Sequence, residues 1–403
     1  MRKKMSEIVD IIDGDRGTNY PKQDDFSENG FCLFLNTGNV RKEGFSFETN
    51  VFITKEKDSA LRKGKLQRDD IVYTTRGTVG NVGYYSSKVR YEHIRINSGM
   101  VIFRAIDTNV SMSFLYHLLR SKDVRKEFLS YCTGSAQPQL PIKILKEIKV
   151  DIPDIEIQQR IVSILSSYDD LIENNQKQIK LLEEAAQRLY KEWFVDLRFP
   201  GHEDVEIVDG LPKGWEKAKI GNVTDVKRGA SPRPIQMYLA DEGLNWLKIS
   251  DATSSNSPYI YSIKEKIKIE GLEKTVYIKE GELILSNSAT PGIPKILEVD
   301  SCIHDGWLYF PNSQLSNEYM YLLFLEIRND LLNRGTGAVF TNLKTDILKN
   351  YEFIKPDKYV LDLFDENIKP IFLMIDNLCK KVLKLEEARD RLLPKLMSGE
   401  VEV

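Results

Sequence analysis

The sequence of 403 residues contains few residues of the kind that build metal centres and disulfide frameworks, with only four cysteines and four histidines. The cysteines are scattered and form no Cys-x-x-Cys pair, which argues against a structural zinc site and favours a reduced, cytoplasmic protein. No run of about eighteen apolar residues is present, so we expect no membrane span. The basic start, MRKKMSEIVD, leads into no apolar segment, and we predict no signal peptide.

Sequence signatures of catalysis are also missing. No Walker A motif occurs, so we expect no ATP-driven motor. The segment Asn256-Ser257-Pro258-Tyr259 approaches the Asp/Asn-Pro-Pro-Tyr/Phe loop of amino-methyltransferases, but no glycine-rich turn for S-adenosylmethionine accompanies it, and turn formers dominate SSNSPY. Pro153-Asp154 and Pro356-Asp357 lack the acidic-x-Lys of a metal-dependent nuclease and are interpreted as turns that start helices. We predict no catalytic residue, no metal and no cofactor.

The net charge of −3 hides a segregation of charge along the chain. Residues 1–150 contain 25 Lys and Arg against 18 Asp and Glu, whereas residues 151–210 contain 6 against 14. Segregated charge permits a local basic surface for nucleic acid. It fits equally well with chance and with solvated helix faces, so charge alone leaves both interpretations open.

The chain repeats one unit of about two hundred residues in tandem. LEEAAQRL, from Leu182, matches LEEARDRL, from Leu385, at an offset of 203 residues (385 − 182). At an offset of 212, Arg16-Gly17 falls on Arg228-Gly229 and DIVYTTRGTVG falls on ELILSNSATPG, and at 207, NSGMVIF falls on HDGWLYF. Many short matches in one order indicate a duplication. The second copy opens with LPKGW. At the offset of 212 the first copy begins only at about the tryptophan of this segment, so the first copy lacks the residues that precede it.

The order of strand-forming and helix-forming segments in each copy predicts the fold class. DIVYTT, MVIFRA, ELILSNS and WLYFPN predict short strands, residues 113–129 and 317–332 predict helices, and each copy ends in a long amphipathic helix. We therefore predict an α+β protein in which two globular domains are separated by two long antiparallel helices, a coiled coil, in a pseudo-two-fold internal repeat. The predicted boundaries are 1–154 and 197–355 for the domains, and 155–196 and 356–403 for the helices.

Apolar residues recur along both predicted helices at alternating four- and three-residue steps, a period typical of a coiled-coil seam. A pair of ordinary core helices is the alternative, but a length of roughly 60 Å argues against it. By repeat position Asn175 corresponds to Leu378, and a buried Asn fixes register. The residues predicted for the seam and for partner binding are Ile161, Tyr168, Leu171, Asn175, Leu182, Leu189, Trp193, Phe364, Ile371, Met374, Leu378, Leu385 and Leu392.

Three segments carry a resemblance to a known family. They are IQQRIVSILSSYDDLIENNQKQIKLLEEAAQRLYKEWFVDLRFPG (157–201), LPKGWEKAKIGNV (211–223) and LEEARDRLLPKLMSGEV (385–401). They resemble the conserved regions of type I restriction–modification specificity (S) subunits, and the resemblance covers the whole chain. It implies that the two globular domains are target-recognition domains and that each reads one half of a split, asymmetric double-stranded DNA site. It also implies that the helices set the spacing and dock two modification (methyltransferase) subunits, which recruit restriction–translocation subunits.

The duplicated loops provide candidate DNA-binding residues at matching places. Base recognition needs Arg, Lys, Asn or Gln on loops beside strands, and phosphate binding needs basic and hydroxyl side chains, although any solvent-exposed loop contains such residues. TTRGTVG and SNSATPG keep the loop position while the side chains change, as two different half-sites require. The predicted DNA-binding residues are Arg16, Asn36, Arg41, Thr75, Arg76, Thr78, Gln137 and Gln139 in the first copy, and Arg228, Arg233, Lys248, Asn287, Ser288, Thr290, Thr341 and Asn342 in the second.

Three functions compete at this point: a non-catalytic DNA-specificity subunit, a fused restriction–methyltransferase enzyme, and a coiled-coil scaffold without DNA contact. The missing cofactor loop argues against the enzyme, and the divergence of the repeated loops argues against the scaffold. We therefore predict a non-catalytic subunit of a type I restriction endonuclease and adenine DNA methyltransferase complex.

Overall fold

The computed structural model describes residues 1–134, 137–253, 255, 257–333, 342–398 and 400–401, and the chain divides into two compact units. Unit 1 comprises Met1–Glu173 and Leu383–Val403, and unit 2 comprises Asn174–Val382. Each unit thus combines a globular head with a part of each long helix. In the described part of the chain, no helix is long and apolar enough to cross a membrane, and no group of three or more His, Cys, Asp or Glu is placed to hold a metal ion.

The head of unit 1 contains eleven strands and five short helices within its described residues. The strands are β1 Arg2–Lys4, β2 Val9–Asp13, β3 Cys32–Leu35, β4 Val40–Arg41, β5 Gly44–Phe45, β6 Phe52–Ile53, β7 Ile71–Thr74, β8 Val82–Tyr84, β9 Ile94–Ile96, β10 Met100–Ala105 and β11 Lys149–Asp151. The helices are α1 Met5–Ile8, α2 Lys55–Ala60, α3 Met112–Arg120, α4 Lys122–Ser130 and α5 Ile142–Glu147.

Unit 2 repeats this pattern after the first long helix, α6 Ile155–Tyr190, which continues as a π-helical turn Lys191–Val195. The strands are β12 Ile207–Val208, β13 Leu211–Pro212, β14 Glu216–Lys219, β15 Lys227–Arg228, β16 Leu239–Ala240, β17 Leu244–Leu247, β18 Tyr259–Ile260, β19 Glu265–Ile267, β20 Val276–Ile278, β21 Leu283–Ser286, β22 Pro294–Leu297, β23 Ser301–Ile303, β24 Trp307–Tyr309 and β25 Glu352–Lys355. The helices are α7 Ile220–Val223, α8 Ile249–Thr253, α9 Asn317–Asn333, α10 Thr345–Lys349 and the second long helix, α11 Lys358–Ser398.

Two larger sheets form the frame of each head. In unit 1 the strand orders are β2-β10-β7-β8 and β6-β3-β9, and in unit 2 they are β15-β24-β21-β22-β18 and β16-β19-β17-β23-β20. The central strands are buried on both faces: Tyr73 of β7 packs into the core that includes Phe103, and its neighbour Val72 packs into a second core with Ile102. Burial of both faces explains why these segments are almost continuously apolar.

Strand register identifies equivalent residues in the two copies. Phe34 lies opposite Arg95 in the parallel pair β3–β9, as Trp246 lies opposite Cys302 in β17–β23, which confirms the predicted offsets of 212 (246 − 34) and 207 (302 − 95).

At the start of each copy the predicted offset of 212 is wrong. Asp13 lies opposite Val101, whereas Arg228 lies opposite Leu308. Because Val101 and Leu308 are related by 207, Arg228 is equivalent to Asp13, at an offset of 215 (228 − 13), and not to Arg16. The three additional residues in the first copy lie in the loop that follows β2, where insertion disturbs no strand.

The helix predicted over residues 113–129 is in fact two helices, α3 and α4. Ser121 separates them with an extended backbone, φ −60° and ψ 147°, and its hydroxyl donates to the carbonyl of Leu118 at 2.7 Å. Serine competes in this way with the helical hydrogen bonds of its own backbone. The equivalent segment of unit 2 is one continuous helix, α9, as predicted.

The two long helices begin directly after the Pro-Asp pairs, and they are antiparallel within each unit. Asp357 caps α11 by accepting from the backbone N–H of Val360 at 2.9 Å. In unit 1, Ile161 near the start of α6 shares a core with Leu393 near the end of α11. In unit 2, Trp193 at the end of α6 packs on Phe364 near the start of α11, with ring centroids 5.5 Å apart.

The residues predicted for the seam differ in burial along the two long helices. Ile161, Asn175, Trp193 and Phe364 are buried, and Tyr168, Leu182, Leu189, Ile371, Leu378, Leu385 and Leu392 are half-buried. Leu171 and Met374, however, are 46% and 53% exposed, and the following residues, Ile172 and Ile375, are buried in their place. A regular α-helix advances by 3.6 residues per turn, so its buried face drifts away from a strict seven-residue repeat.

Candidate nucleic-acid interface

Strands β2, β7 and β9 end at one place in unit 1, where four loops meet in a group that we term loop cluster 1 (residues 13–17, 75–78, 97–99 and 137–140). The carbonyl of Gly99 is its centre and accepts from the backbone N–H groups of Thr75 at 2.9 Å and Arg76 at 3.2 Å. Leu140 N–H donates to the carbonyl of Thr75 at 3.0 Å, and Arg76 and Gln139 form a β-bridge. The predicted residues Arg76 and Gln139 are therefore neighbours.

Unit 2 contains the same arrangement in loop cluster 2 (residues 228–233, 287–290, 304–306 and 342–343). Asn287 N–H donates to the carbonyl of Gly306 at 2.8 Å, and Leu343 N–H donates to the carbonyl of Asn287 at 2.6 Å. Ser288 and Asn342 form the β-bridge that corresponds to Arg76 and Gln139. The hydrogen bonds of the two clusters thus join equivalent backbone atoms.

Two predicted arginines reach the same point from different sequence positions. Arg16 donates from Nη2 to the carbonyl of Ser98 at 3.3 Å. Arg228 donates from Nε to the carbonyl of Asp305. Ser98 and Asp305 are equivalent at the offset of 207 (305 − 98), so the two guanidinium groups lie in equivalent places although Arg16 follows β2 by three residues.

The tips of the repeated loops have the same backbone conformation in both units but carry different side chains. The hydroxyl of Ser286 donates to the carbonyl of Thr290 at 2.6 Å, and the hydroxyl of Thr74 donates to the carbonyl of Thr78 in the same way. Gly77, at φ 71°, and its equivalent Ala289, at φ 58°, both adopt the left-handed conformation, which is unusual for a residue with a Cβ atom. The tip of unit 1 presents an arginine, and that of unit 2 presents a serine.

One carboxylate organises the positive charge of loop cluster 2. Asp305 accepts from the hydroxyl of Ser231 at 2.8 Å and forms ion pairs with Arg233 at 3.4 Å and Arg228 at 3.8 Å. Burial would raise the pKa of Asp305, but the Ser231 hydrogen bond and the charge of Arg228 outweigh it, so the pKa is lowered. In loop cluster 1 the equivalent residue is Ser98, and Arg16 pairs with Asp13 at 3.1 Å instead.

The side chain of His304 stabilises the backbone of this turn. Its Nδ1 accepts from the N–H of Gly306 at 2.8 Å, as Oδ1 of the equivalent Asn97 accepts from Gly99 at 2.9 Å. Burial lowers the pKa of His304; the charge of Asp305 opposes this shift, and the nearby cations Lys248 and Arg228 add to it. The ring is therefore neutral at pH 7, with Nδ1 as an acceptor.

The remaining predicted residues differ in exposure and in their partners, and Asn36, Arg41 and Lys248 lie outside the two loop clusters. Thr75 and Asn287 are buried within the loop clusters. Asn36 is exposed and its Oδ1 accepts from Gly38 N–H at 2.7 Å, Arg41 forms an ion pair with Glu48 at 2.8 Å, and Lys248 forms one with Glu265. Thr78, Gln137, Arg233 and Asn342 are exposed, Ser288 and Thr290 are half-buried, and Thr341 lies outside the described residues.

The predicted DNA-binding residues do not include the loop at the centre of each cluster, Asn97-Ser98-Gly99 and His304-Asp305-Gly306. The signal was available, because the matching segments NSGMVIF and HDGWLYF begin with these residues. A conserved position for glycine directly before a strand indicates a tight turn whose backbone carbonyls are available to neighbouring loops.

Tyr259, the candidate for a base-binding loop, is committed to the core of unit 2. It is buried, and its hydroxyl donates to the carbonyl of Phe372 in α11 at 3.1 Å. Burial raises the pKa of Tyr259 above its usual value. Asn256, the first residue of the candidate loop, lies outside the described residues. A ring that is packed against a helix has no free face for stacking on a flipped base.

Comparisons with known proteins agree on one family. The sequence model described as type I restriction modification DNA specificity domain matches residues 1–184 and 212–380. The specificity subunit of the type I restriction enzyme MjaIX from Methanocaldococcus jannaschii is 28% identical, over 88% of this chain and 82% of that protein. The HindI specificity subunit from Haemophilus influenzae is 23% identical, over 98% of this chain and all (100%) of that protein. The crystal structure of a type I system S subunit from M. genitalium has the same fold, with a TM-score of 0.57 at 16% identity over 98% of this chain and 95% of that one.

Proposed function

This chain belongs to the family of type I restriction–modification DNA specificity domains, and from that membership we propose that it is the non-catalytic specificity subunit of a type I restriction–modification complex. Its two units each read one half of a split, asymmetric double-stranded DNA site. The observation that carries the proposal is the pair of loop clusters, which share backbone hydrogen bonds but differ in the side chains they present.

The chemistry of the clusters suits the reading of base edges and phosphates. Arginine forks recognise guanine bidentately, Asn and Gln recognise adenine, and hydroxyls and backbone N–H groups hold phosphate. Loop cluster 1 presents Arg16, Arg76 and Gln139, and loop cluster 2 presents Arg228, Arg233 and Asn342. A rigid, duplicated frame with different side chains is what two unlike half-sites require, and a scaffold without DNA contact has no need for this divergence.

Two methyltransferase subunits are the partners that we propose for the long helices, and restriction–translocation subunits join through them in the cytoplasm. Large apolar side chains remain exposed on both helices, namely Leu171 and Leu181 on α6 and Leu373, Met374 and Leu383 on α11. Exposed apolar residues that are concentrated on particular elements mark surfaces for protein partners. Under this proposal the helices also set the spacing between the two half-sites.

The test is to assemble the chain with its methyltransferase and to sequence the sites that are methylated in a random DNA library. We expect a two-part site of fixed spacing that is lost when this chain is left out. Methylation with unchanged sequence preference in the absence of the chain would overturn the proposal. A fused enzyme would instead methylate DNA without any partner.

Asn256→Ala separates the specificity subunit from the fused enzyme. Asn256 stands at the first position of the candidate loop, where an Asp/Asn-Pro-Pro-Tyr/Phe loop requires Asp or Asn, whereas Tyr259→Phe would leave a residue that such a loop accepts. We expect the assembled complex to methylate at the wild-type rate, because base flipping and methyl transfer belong to the partner. Methyl transfer by the chain alone that is lost in this variant would favour the enzyme.

A further inference from the structure

We infer that Asp305 is a positioning residue for target readout: it orients the guanidinium groups of Arg233 and Arg228 toward guanine in the half-site that unit 2 reads. This inference rests on the proposed function and deepens it for one loop cluster. It begins from an anomaly of charge, since a carboxylate lies at the centre of a surface proposed to meet DNA phosphates.

A carboxylate at such a place repels phosphate, so it weakens binding unless it contributes something else. Asp305 does not stand apart from the loops, because Ser231 fixes one of its oxygens by a hydrogen bond of 2.8 Å. The other oxygen, Oδ2, lies 3.4 Å from Nη2 of Arg233 and 3.8 Å from Nη2 of Arg228. Its role is therefore that of a shared anchor for two cations.

The guanidinium groups that it anchors remain accessible. The side chain of Arg233 is 79% exposed and that of Arg228 is 50% exposed. Arg233 lies between Pro232 and Pro234, and prolines on both sides restrict the backbone conformations it can adopt. An exposed arginine on a stiff backbone, steered by one carboxylate, loses little conformational entropy when it meets a base edge.

Guanine is the base that this arrangement fits. Its major-groove edge presents two acceptors, N7 and O6, to which an arginine fork donates two hydrogen bonds. The anchor occupies one edge of the Arg233 fork, and the remaining N–H groups stay available for the base. Lysine lacks the planar fork, so a substitution of Arg233 by lysine keeps the charge but loses the readout.

Loop cluster 1 serves as an internal comparison. Its equivalent of Asp305 is Ser98, which has no carboxylate, and Arg16 pairs with Asp13 of the preceding strand. A carboxylate at this position, shared by two arginines, is therefore found in unit 2, whereas in unit 1 Asp13 pairs with Arg16 from a different position. Any change of base preference caused by Asp305 must appear in one half-site and leave the other unchanged.

The experiment compares the methylated sites of complexes assembled with wild-type chain, Asp305→Asn, Asp305→Glu, Arg233→Lys and Asp241→Asn. Asp241 is an exposed residue at the far end of β17 from loop cluster 2, so Asp241→Asn controls for the loss of one negative charge. A separate variant, Arg76→Ala, identifies the half-site that unit 1 reads.

In Asp305→Asn we expect the preference for guanine at one or two positions of the unit 2 half-site to fall about tenfold, with the unit 1 half-site unchanged. Asp305→Glu should restore most of it, and Arg233→Lys should alter the same positions, with little additional effect of Asp305→Asn in that background. Asp241→Asn should match the wild type. Because Arg233 is exposed, its variant tests the inference even if Asp305→Asn lowers stability.

Unchanged bases in both half-sites for Asp305→Asn and Arg233→Lys would overturn the inference, as would changes confined to the unit 1 half-site. A wild-type complex that methylates no split site would overturn the proposed function, and this inference with it. The two failures are therefore distinguished by the wild-type result alone.

Discussion

Arg389 of the second long helix donates from Nη1 to Oδ1 of Asp169 in the first long helix, at 2.7 Å, within unit 1. The other oxygen of Asp169 accepts from Arg120 of α3 at 3.0 Å. Burial would raise the pKa of Asp169, but the arginines outweigh it and lower the pKa. One carboxylate thus ties together both long helices and the head.

Asp169→Asn should destabilise unit 1 by about 3 kcal/mol, because it leaves two poorly exposed arginines without their shared counter-ion. Urea unfolding of the full chain measures this effect. The matched control is Asp170→Asn at the next residue, where the ion pair with Lys88 is exposed and is worth less than about 1 kcal/mol. Equal effects of the two substitutions would contradict the assigned role.

His117 should make the stability of unit 1 depend on pH. Burial lowers the pKa of His117 from 6.5 to about 4, against the opposing charge of Asp169. Between these values the unfolded chain binds a proton that the folded chain does not, so the free energy of unfolding falls as the pH falls, by up to about 3 kcal/mol. We expect His117→Leu to remove this dependence in denaturant titrations between pH 7 and pH 4.

Leucine is the appropriate substitution because unit 2 contains it at the equivalent position. The caps Ser111 and Ser316, which accept from Phe114 and Tyr319, align α3 with α9 at an offset of 205 (316 − 111) and place Leu322 in the position of His117. An identical pH profile for wild type and His117→Leu would contradict the prediction.

Glu183 should give unit 2 the opposite dependence. Burial raises the pKa of Glu183 to about 7, although the Lys295 charge acts against it. Between pH 7 and about 4.5 the folded chain binds the extra proton, so stability rises as the pH falls, by up to about 3 kcal/mol. Glu183→Gln should remove this gain, whereas Glu184→Gln, with its more exposed carboxylate beside Arg188, should retain it. A gain that survives in Glu183→Gln would contradict the prediction.

DNA binding by the assembled complex should weaken steeply with salt, because lysine and arginine release counterions from phosphate. We expect Arg76→Ala to lower affinity and to reduce the log–log salt slope by about one. Arg90→Ala removes the same charge from an exposed site on the opposite end of β9 and should leave the slope unchanged. A wild-type slope near zero, or equal effects of the two variants, would contradict a DNA-facing role for loop cluster 1.

Most of the fold could be predicted from the sequence because the internal repeat shows each element twice. Strands β7, β10, β21 and β24, helix α9 and both long helices follow from hydrophobic period and turn residues, which are local properties. The predicted offset failed at Arg16 because three residues were inserted in a loop, where sequence similarity is too short to show the insertion. Helix 113–129 failed because one serine, Ser121, prefers its own hydrogen bond to that of the helix.

The candidate site followed from the sequence only in part. Alignment of the two copies predicted the loops that contain Arg76, Gln139 and Arg228, and in the structure these three residues lie in the loop clusters. Thr75 and Asn287 occur in the same loops but are buried, and whether a loop side chain points outward is decided by tertiary hydrogen bonds that no local pattern contains. Asp305 was missed because an acidic residue is not an expected component of a surface for DNA.

Lengthening both long helices tests whether they set the spacing between the two half-sites. Four residues inserted after Glu173 and four after Val382, at the boundaries of the units, leave the contacts within each unit in place. They add about one turn, roughly 6 Å, against a rise of about 3.4 Å per base pair of DNA. The same four residues inserted after Asp241 serve as the control.

Sequencing of the sites methylated by the assembled complexes gives the answer. We expect the half-site bases to stay the same and the gap between them to lengthen by one or two base pairs, with no change in the control. An unchanged gap, with altered bases in the half-sites, would rule out the long helices as the spacer.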